Sequence, residues 1–174
     1  LSHLECYEKF LETEEDYAVI LEDDSLITDQ FQKFINAKIN KDAFDFLFLL
    51  SDDQGADGFV YQVEGSNFNI DDFSIYSLTS APYSTNAYVI SRNAALVMLR
   101  NNEIIDAPID HYKNVKENIV FHAVSSSICF MNHLASVESI TGSAWSPMMV
   151  LLRRFPRSEE RRVGKECSNR WWPD

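Results

Sequence analysis

The stretch Tyr17–Leu21 reads YAVIL, and Glu22, Asp23 and Asp24 follow it directly. A run of five apolar residues without polar alternation predicts a strand that is buried on both faces, which is typical of sheets covered by helices on both sides. The three acidic residues place negative charge at the carboxyl end of this strand. The stretch therefore predicts an α/β architecture and also the edge of the sheet at which a ligand binds.

Further apolar runs alternate along the chain with amphipathic segments. The other predicted strands are residues 44–50, 86–90 and 119–124, with residues 127–131 pairing near the last of them. The polar residues 54–79 are expected to form a long, partly β excursion over the ligand-binding face. The predicted helices are residues 2–14, 29–37 with Asp29 as the cap, 92–101 with Ser91 as the cap, and 108–117 beginning at Pro108. This alternation predicts an α/β fold with a mostly parallel sheet flanked by helices.

The composition limits the kinds of partner. The 174 residues include 15 Lys and Arg against 27 Asp and Glu, a formal net charge of -12. Such an acidic surface disfavours nucleic acid or an anionic membrane as the main partner. The cysteines, Cys6, Cys129 and Cys167, are far apart, so neither a disulfide framework nor a zinc site is indicated. No stretch approaches the ~18 consecutive apolar residues of a transmembrane helix.

Residues 157–174 differ from the rest of the chain. They hold five of the 15 basic residues and two of the three tryptophans, and they show no amphipathic period. The run 157–167 resembles the translation of a sequencing-adapter oligonucleotide, so we expect residues 157–174 to be a non-native, disordered tail. Without that tail the remainder has 10 basic and 23 acidic residues, a net charge of -13. We expect one domain over residues 1–156.

The acidic cluster after the first strand has a specific chemical interpretation. Because side chains alternate along a strand, Glu22 and Asp24 are expected to point the same way and Asp23 the opposite way. Two carboxylates on one side suit Mg²⁺ or Mn²⁺, and such a cation would bridge this acidic protein to a diphosphate. The chain has neither a GxxxxGK[ST] nor a GxGxxG phosphate-binding loop. The alternative is that the acidic turn is only solvated.

Four segments, in order, resemble motifs of glycosyltransferase family 25. They are LSH at residues 1–3, VILEDD at 19–24, NAYVISRNAA at 86–95 and PID at 108–110. The acidic phrase resembles the DxD metal motif of that family. The resemblance implies a GT-A-like, Rossmann-like fold, a UDP-sugar donor and inversion at the anomeric carbon. It also implies a first strand and a uridine-binding loop before Leu1, so we expect this chain to be a fragment of the domain.

The resemblance also implies roles for the residues around the donor. Asp24 is expected to bind the metal directly, and Glu22 to bind either the metal or the donor ribose. Asp23 is expected to orient its neighbours at the donor site. His3, near a helix N-terminus, is expected to approach the donor phosphates, and a capping or packing role is the alternative.

The general base is the least determined role. Asp110 is one candidate to take the proton of the acceptor hydroxyl, and Asp52, which follows residues 44–50 together with Asp53, is the other. The alternative for Asp110 is a first-turn acid stabilised by the helix dipole. Asn86 and Tyr88 are expected to line the sugar pocket, and the alternative for Tyr88 is a place in the core.

The resemblance implies a hexosyltransferase that moves a sugar, galactose in many members, to a hydroxyl of a glycan or lipooligosaccharide. For a bacterial member it implies a cytoplasmic location, at the inner-membrane face, with peripheral membrane association. Two other function classes stay open. One is a non-catalytic carbohydrate-binding domain, and the other is a different Mg²⁺-dependent enzyme that handles phosphate.

Overall fold

The structure is a computed structural model that describes residues 2–40, 42–50, 63–78, 81, 85–104, 107–112, 115, 118–131 and 148–152. The helices in this part of the chain are α1 (Ser2–Leu11), α2 (Asp29–Phe34) and α3 (Arg92–Asn101), with a 3-10 helix at Ile109–His111. The strands are β1 (Tyr17–Leu21), β2 (Ser25–Ile27), β3 (Phe46–Phe48), β4 (Val63–Ile70), β5 (Phe73–Leu78), β6 (Ala87–Ser91), β7 (Phe121–Val124), β8 (Cys129–Met131) and β9 (Met148–Leu152). Asp52, Asp53 and the tail 157–174 lie outside the described residues, so the expectations about them stay predictions.

Strand β1 has the predicted bounds, and all five of its residues are buried. Its side chains divide between two cores. Ala18 and Ile20 pack with residues of α1 and α3, whereas Val19 packs with residues of α2 on the other face. The uninterrupted apolar run follows from this double coverage, because neither face of β1 meets water.

The described strands pair differently from the expectation. Seven form one sheet in the order β4-β5-β7-β3-β6-β1-β9, and β2 and β8 form a separate ribbon. Strands β3 and β7 are parallel, while the other described pairs are antiparallel. The α/β class is confirmed, but mostly parallel pairing is not what these strands show. The physical reason is that an apolar run reports burial on both faces and carries no information on the direction of the neighbouring strand.

The directions of the strands nevertheless bring the expected ends together. Strand β6 lies between β1 and β3 and is antiparallel to both, and β7 runs parallel to β3. The carboxyl ends of β1, β3 and β7 therefore share one edge of the sheet with the amino end of β6. We call this the carboxyl edge, and it includes Leu21 at the end of β1 and Ala87 at the start of β6. The amino ends of β1 and β3 lie at the opposite edge.

The helix boundaries show which local signals were decisive. Ser91 caps α3 as predicted, its hydroxyl accepting from the Ala94 N–H at 3.1 Å. For α2 the cap is Thr28, whose side chain accepts from the Gln30 N–H, and not Asp29. Within the described part of the helix expected over residues 108–117, the chain forms a 3-10 turn at Ile109–His111, which ends at Tyr112 in a left-handed conformation with φ 44°.

Of the polar stretch 54–79 the structure describes residues 63–78, which form the hairpin of β4 and β5 and turn at Asp71 with φ 49°. Strand β5 pairs with β7, so the hairpin extends the sheet sideways. This placement adds strands to the sheet where an excursion over the ligand-binding face was expected. Among the described residues, no helix is both long and apolar enough to cross a membrane.

Candidate functional site

The candidate site lies at the carboxyl edge, where the chain leaves β1 and enters β6. Because Leu21 pairs with Ala87, the next positions along are Glu22 and Asn86, and the Glu22 N–H donates to the Asn86 carbonyl at 2.8 Å. The antiparallel ladder thus continues one residue beyond the strands. It fixes the backbone of the acidic turn against the residue that precedes β6.

Asn86 connects the acidic turn to β6. Its side-chain amide donates to Asp24 Oδ1 at 2.5 Å. Its carbonyl also accepts from the Ser25 hydroxyl at 2.7 Å. Both Asn86 and Asp24 are buried. The expectation that Asn86 lines a sugar pocket stays a prediction, and its observed side-chain partner is the Asp24 carboxylate.

Glu22 receives side-chain donors from two other parts of the chain. The Thr85 hydroxyl donates to its Oε1, and His3 Nε2 lies 3.3 Å from the same oxygen. The Glu22 side chain keeps 21% of its surface exposed. It can therefore bind a ligand at the surface while its Oε1 stays fixed.

His3 reaches the site from the first turn of α1. Its Nδ1 lies 2.9 Å from the hydroxyl of Tyr88, which in turn lies 2.5 Å from the hydroxyl of Tyr7. His3 and Tyr7 are four residues apart on α1, so both side chains lie on the same face of the helix. The result is a continuous series of side-chain contacts from Tyr7 through Tyr88 and His3 to Glu22.

The two carboxylates of the turn have opposite electrostatic environments. Burial raises the pKa of Glu22, but the hydrogen bonds from His3 and Thr85 and the charge of His3 outweigh it, and the pKa is lowered. The pKa of Asp24 is raised by its burial and by the neighbouring Glu22 carboxylate, and the Asn86 amide only partly offsets this. Glu22 is thus stabilised as an anion, whereas Asp24 lacks a cationic partner among the described residues.

Asp23, the third acid of the turn, differs from its two neighbours in exposure. Asp23 is exposed, while Glu22 and Asp24 are half-buried and buried. This difference in exposure arises in a turn and not in an extended strand, since the chain bends at residues 23 and 24. Asp23 therefore faces solvent beside the other two carboxylates.

The donor set of this turn suits a small hard cation. The side-chain donors described above reach Oε1 of Glu22 and Oδ1 of Asp24. Magnesium and manganese are commonly bound through one or two carboxylates while water and substrate phosphates complete the shell. Within the described part of the chain, no group of three or more His, Cys, Asp or Glu side chains could hold a metal ion by itself. A cation here would thus need oxygen atoms from a ligand or from water.

Of the two candidate bases, Asp110 lies among the described residues and Asp52 does not. Asp110 lies half-buried in the 3-10 helix, and no hydrogen bond or ion pair joins it to Glu22 or Asp24. Asp52 lies outside the described residues. Its proposed role stays a prediction, as does that of Asp110.

Sequence reasoning missed two participants. Thr85 directly precedes Asn86 and was not singled out, although a hydroxyl next to a residue at a strand start is a plausible donor to the adjacent turn. Tyr7 was expected only as part of the helix over residues 2–14. The four-residue spacing between His3 and Tyr7 could have indicated their contact with the site, because it places a polar hydroxyl on the same helix face as an imidazole.

Comparison with known proteins locates these residues within one family. The model of glycosyltransferase family 25 (LPS biosynthesis protein) matches residues 1–113. That match includes every residue of the contact series from Tyr7 to Glu22, together with Asp24, Asn86 and Asp110. A search of curated proteins found no match to the chain.

Proposed function

The chain belongs to glycosyltransferase family 25, the lipopolysaccharide-biosynthesis glycosyltransferases, and from this premise we propose that it transfers a sugar from a UDP-sugar to a hydroxyl of a glycan or lipid-linked saccharide. We propose galactose as the sugar and inversion as the stereochemical outcome. The observation that carries the proposal is the pair Glu22 and Asp24, which Asn86, Thr85 and His3 hold at the carboxyl edge of the sheet.

The negative charge of the protein opposes binding of a nucleotide-sugar donor. A net charge of -12 repels a nucleotide diphosphate. We propose that Glu22 and Asp24 would hold Mg²⁺ or Mn²⁺, which, when bound, neutralises charge on the departing diphosphate. Asn86 would keep the Asp24 carboxylate in place, and Thr85 and His3 would do the same for Glu22.

The proposed reaction is a single displacement. The oxygen of the acceptor hydroxyl forms a bond to the anomeric carbon as the bond from that carbon to the UDP oxygen breaks. UDP leaves with the electron pair of the broken bond, and an aspartate takes the hydroxyl proton. Asp110 and Asp52 are the candidates for that base. Attack on the face opposite UDP inverts the anomeric carbon, so no covalent enzyme intermediate is needed.

Calorimetric titration of the chain with UDP-galactose, with and without Mn²⁺, tests the donor site. We expect binding only with Mn²⁺, and we expect Asp24→Ala to weaken it by at least about 100-fold because one of two cation ligands is lost. Asp23→Ala is the matched control, since it removes a carboxylate from the same turn but from its exposed side.

Two results would contradict the proposal. If Asp24→Ala and the parent bound UDP-galactose with equal affinity, the assignment of Asp24 as a metal ligand would be wrong. Binding of free galactose without any binding of UDP-galactose or Mn²⁺ would instead favour a non-catalytic carbohydrate-binding domain.

A further inference from the structure

The Tyr88 hydroxyl lies inside the protein, where a sugar cannot reach it. The residue is fully buried, with 0% of its surface exposed. Its hydroxyl lies between His3 Nδ1 at 2.9 Å and the Tyr7 hydroxyl at 2.5 Å. Any influence of Tyr88 on the donor site must therefore pass through His3.

The contacts fix the direction of one hydrogen bond. An ionised Glu22 carboxylate can only accept, so the proton between it and His3 belongs to Nε2. The other ring nitrogen of His3, Nδ1, lies 2.9 Å from the Tyr88 hydroxyl, which in turn lies 2.5 Å from the Tyr7 hydroxyl. The series of contacts therefore runs from Tyr7 through Tyr88 and His3 to Glu22.

Packing fixes the position of the Tyr88 ring. It stacks on Phe46 with ring centroids 4.4 Å apart and an angle of 18° between the planes. Strand β6, which carries Tyr88, is paired on both sides by β1 and β3. The hydroxyl therefore projects from a rigid part of the sheet.

His3, in contrast, lies in the first turn of α1, where helix ends fray. Its ring is bound at both nitrogens, to a residue of β6 on one side and to Glu22 after β1 on the other. The ring thus joins the start of α1 to the carboxyl edge of the sheet. Loss of either contact would leave the imidazole free to rotate away from Glu22.

We propose that Tyr88, supported by Tyr7, is a positioning residue of the donor site: its hydroxyl holds His3 with Nε2–H directed at Glu22. Its effect on sugar transfer rests on the proposed function, in which Glu22 helps to bind the UDP-sugar. Its effect on His3 does not, because the contacts belong to the protein alone.

The first test measures His3 without any ligand. Imidazole ¹⁵N spectra of the parent chain should show a hydrogen-bonded His3 Nδ1, its signals assigned by their absence in His3→Gln. In Tyr88→Phe the Nδ1 signal should move to the position of an unbonded nitrogen, and the ring signals should average. Unchanged His3 signals in Tyr88→Phe would overturn the proposal.

The second test separates positioning from stability. For Tyr88→Phe we expect the KM for UDP-galactose in the presence of Mn²⁺ to rise roughly tenfold with a smaller change in kcat. A merely structural loss lowers the amount of active enzyme, so it would lower kcat and leave KM unchanged; that outcome would overturn the proposal. Tyr7→Phe should raise KM less, since Tyr7 acts only through Tyr88. If Tyr88→Phe does not fold, Tyr7→Phe replaces it in this test.

Tyr17→Phe is the matched control. In the parent chain the Tyr17 hydroxyl donates to the Asn40 carbonyl at 3.2 Å and accepts from the Ala43 N–H at 2.8 Å. These contacts lie at the amino end of β1, away from the candidate site. Tyr17→Phe should leave KM and the His3 signals as in the parent, and a KM raised as much as in Tyr88→Phe would overturn the proposal. If the parent chain neither binds nor turns over UDP-galactose, the proposed function fails, while the ¹⁵N measurement still decides the role of Tyr88.

Discussion

The two edges of the sheet both carry buried or half-buried acids, but they use them differently. At the opposite edge Asp45 precedes β3, and both of its carboxylate oxygens accept hydrogen bonds: Oδ1 from Ser91 and Asn93, and Oδ2 from the Val120 N–H at 3.1 Å. At the carboxyl edge Asp24 receives the Asn86 amide on one oxygen. The Asp45 carboxylate therefore connects three segments of the fold, whereas the Asp24 carboxylate receives one side-chain donor within the described part of the chain.

Arg92 extends this contrast at the opposite edge. Its guanidinium donates to the carbonyls of Leu11 at 2.8 Å and Thr13 at 2.6 Å, at the end of α1. These carbonyls have no partner within the helix, so Arg92 supplies the hydrogen bonds that the helix end lacks. The difference teaches that the groups of one edge hold the fold together, while those of the other are held in place by the fold.

The largest stability effect is expected from Arg92→Met. Methionine keeps an apolar side chain over Phe10, above which the guanidinium now lies, but it cannot donate to the carbonyls at the end of α1. We expect the free energy of unfolding to fall by about 3 kcal/mol, measured by urea denaturation. Arg100→Met, on the exposed side of the last turn of α3, should change it by about 0.5 kcal/mol or less. Equal losses in the two variants would refute the role given to Arg92.

A pair of aspartate variants tests the contrast between the edges directly. Asp45→Ala leaves its three donors without their acceptor and should destabilise the protein by about 2 kcal/mol. Asp24→Asn keeps an acceptor for Asn86 and removes a buried negative charge next to Glu22, so its stability should stay within about 1 kcal/mol of the parent. Donor binding should show the reverse order, with Asp24→Asn the weaker binder. Parallel changes in stability and binding for both variants would show that the edges do not differ in this way.

The smallest effect is expected at His122, within β7 and between the two edges. Its buried Nδ1 has no hydrogen-bond partner among the described residues, and the rings of Phe44 and Phe68 pack against it. Burial lowers the pKa of His122, and the nearby Val120 backbone and the charge of Asp45 oppose this only in part.

The sign of the resulting pH dependence follows from linkage. The unfolded chain takes up a proton at the ordinary histidine pKa of about 6.5, before the folded protein does. The stability is thus complete above that pH and falls as the pH decreases through it. His122→Phe should lose part of this dependence in urea midpoints measured from pH 8 to about 5. An unchanged slope would contradict the assignment.

Local signals in the sequence predicted a large part of the fold. The run Tyr17–Leu21 is a strand with the predicted bounds, and Ser91 caps α3 as its hydroxyl suggested. Both predictions depend on residues that are adjacent or within one turn. The 3-10 turn at Ile109–His111 was not predictable in the same way, because the left-handed Tyr112 that ends it has no glycine or asparagine to indicate it.

Such local signals could not predict the direction in which neighbouring strands run. Residues of β3 and β6 read as buried strands whether their neighbours are parallel or antiparallel, since each is covered on both faces. The pairing of Phe48 with Tyr88 joins residues forty positions apart in the chain. Only the folded arrangement decides which strands become neighbours.

The sequence by itself determined that three acids directly follow a buried strand, because residue type and apolar patterning act over a few positions. The tertiary structure alone decided what those acids contact. Asn86 is 62 residues from Asp24, and Tyr88 is 85 residues from His3. Contacts over such separations depend on how the strands and α1 assemble, and they give two carboxylates of one turn opposite pKa shifts.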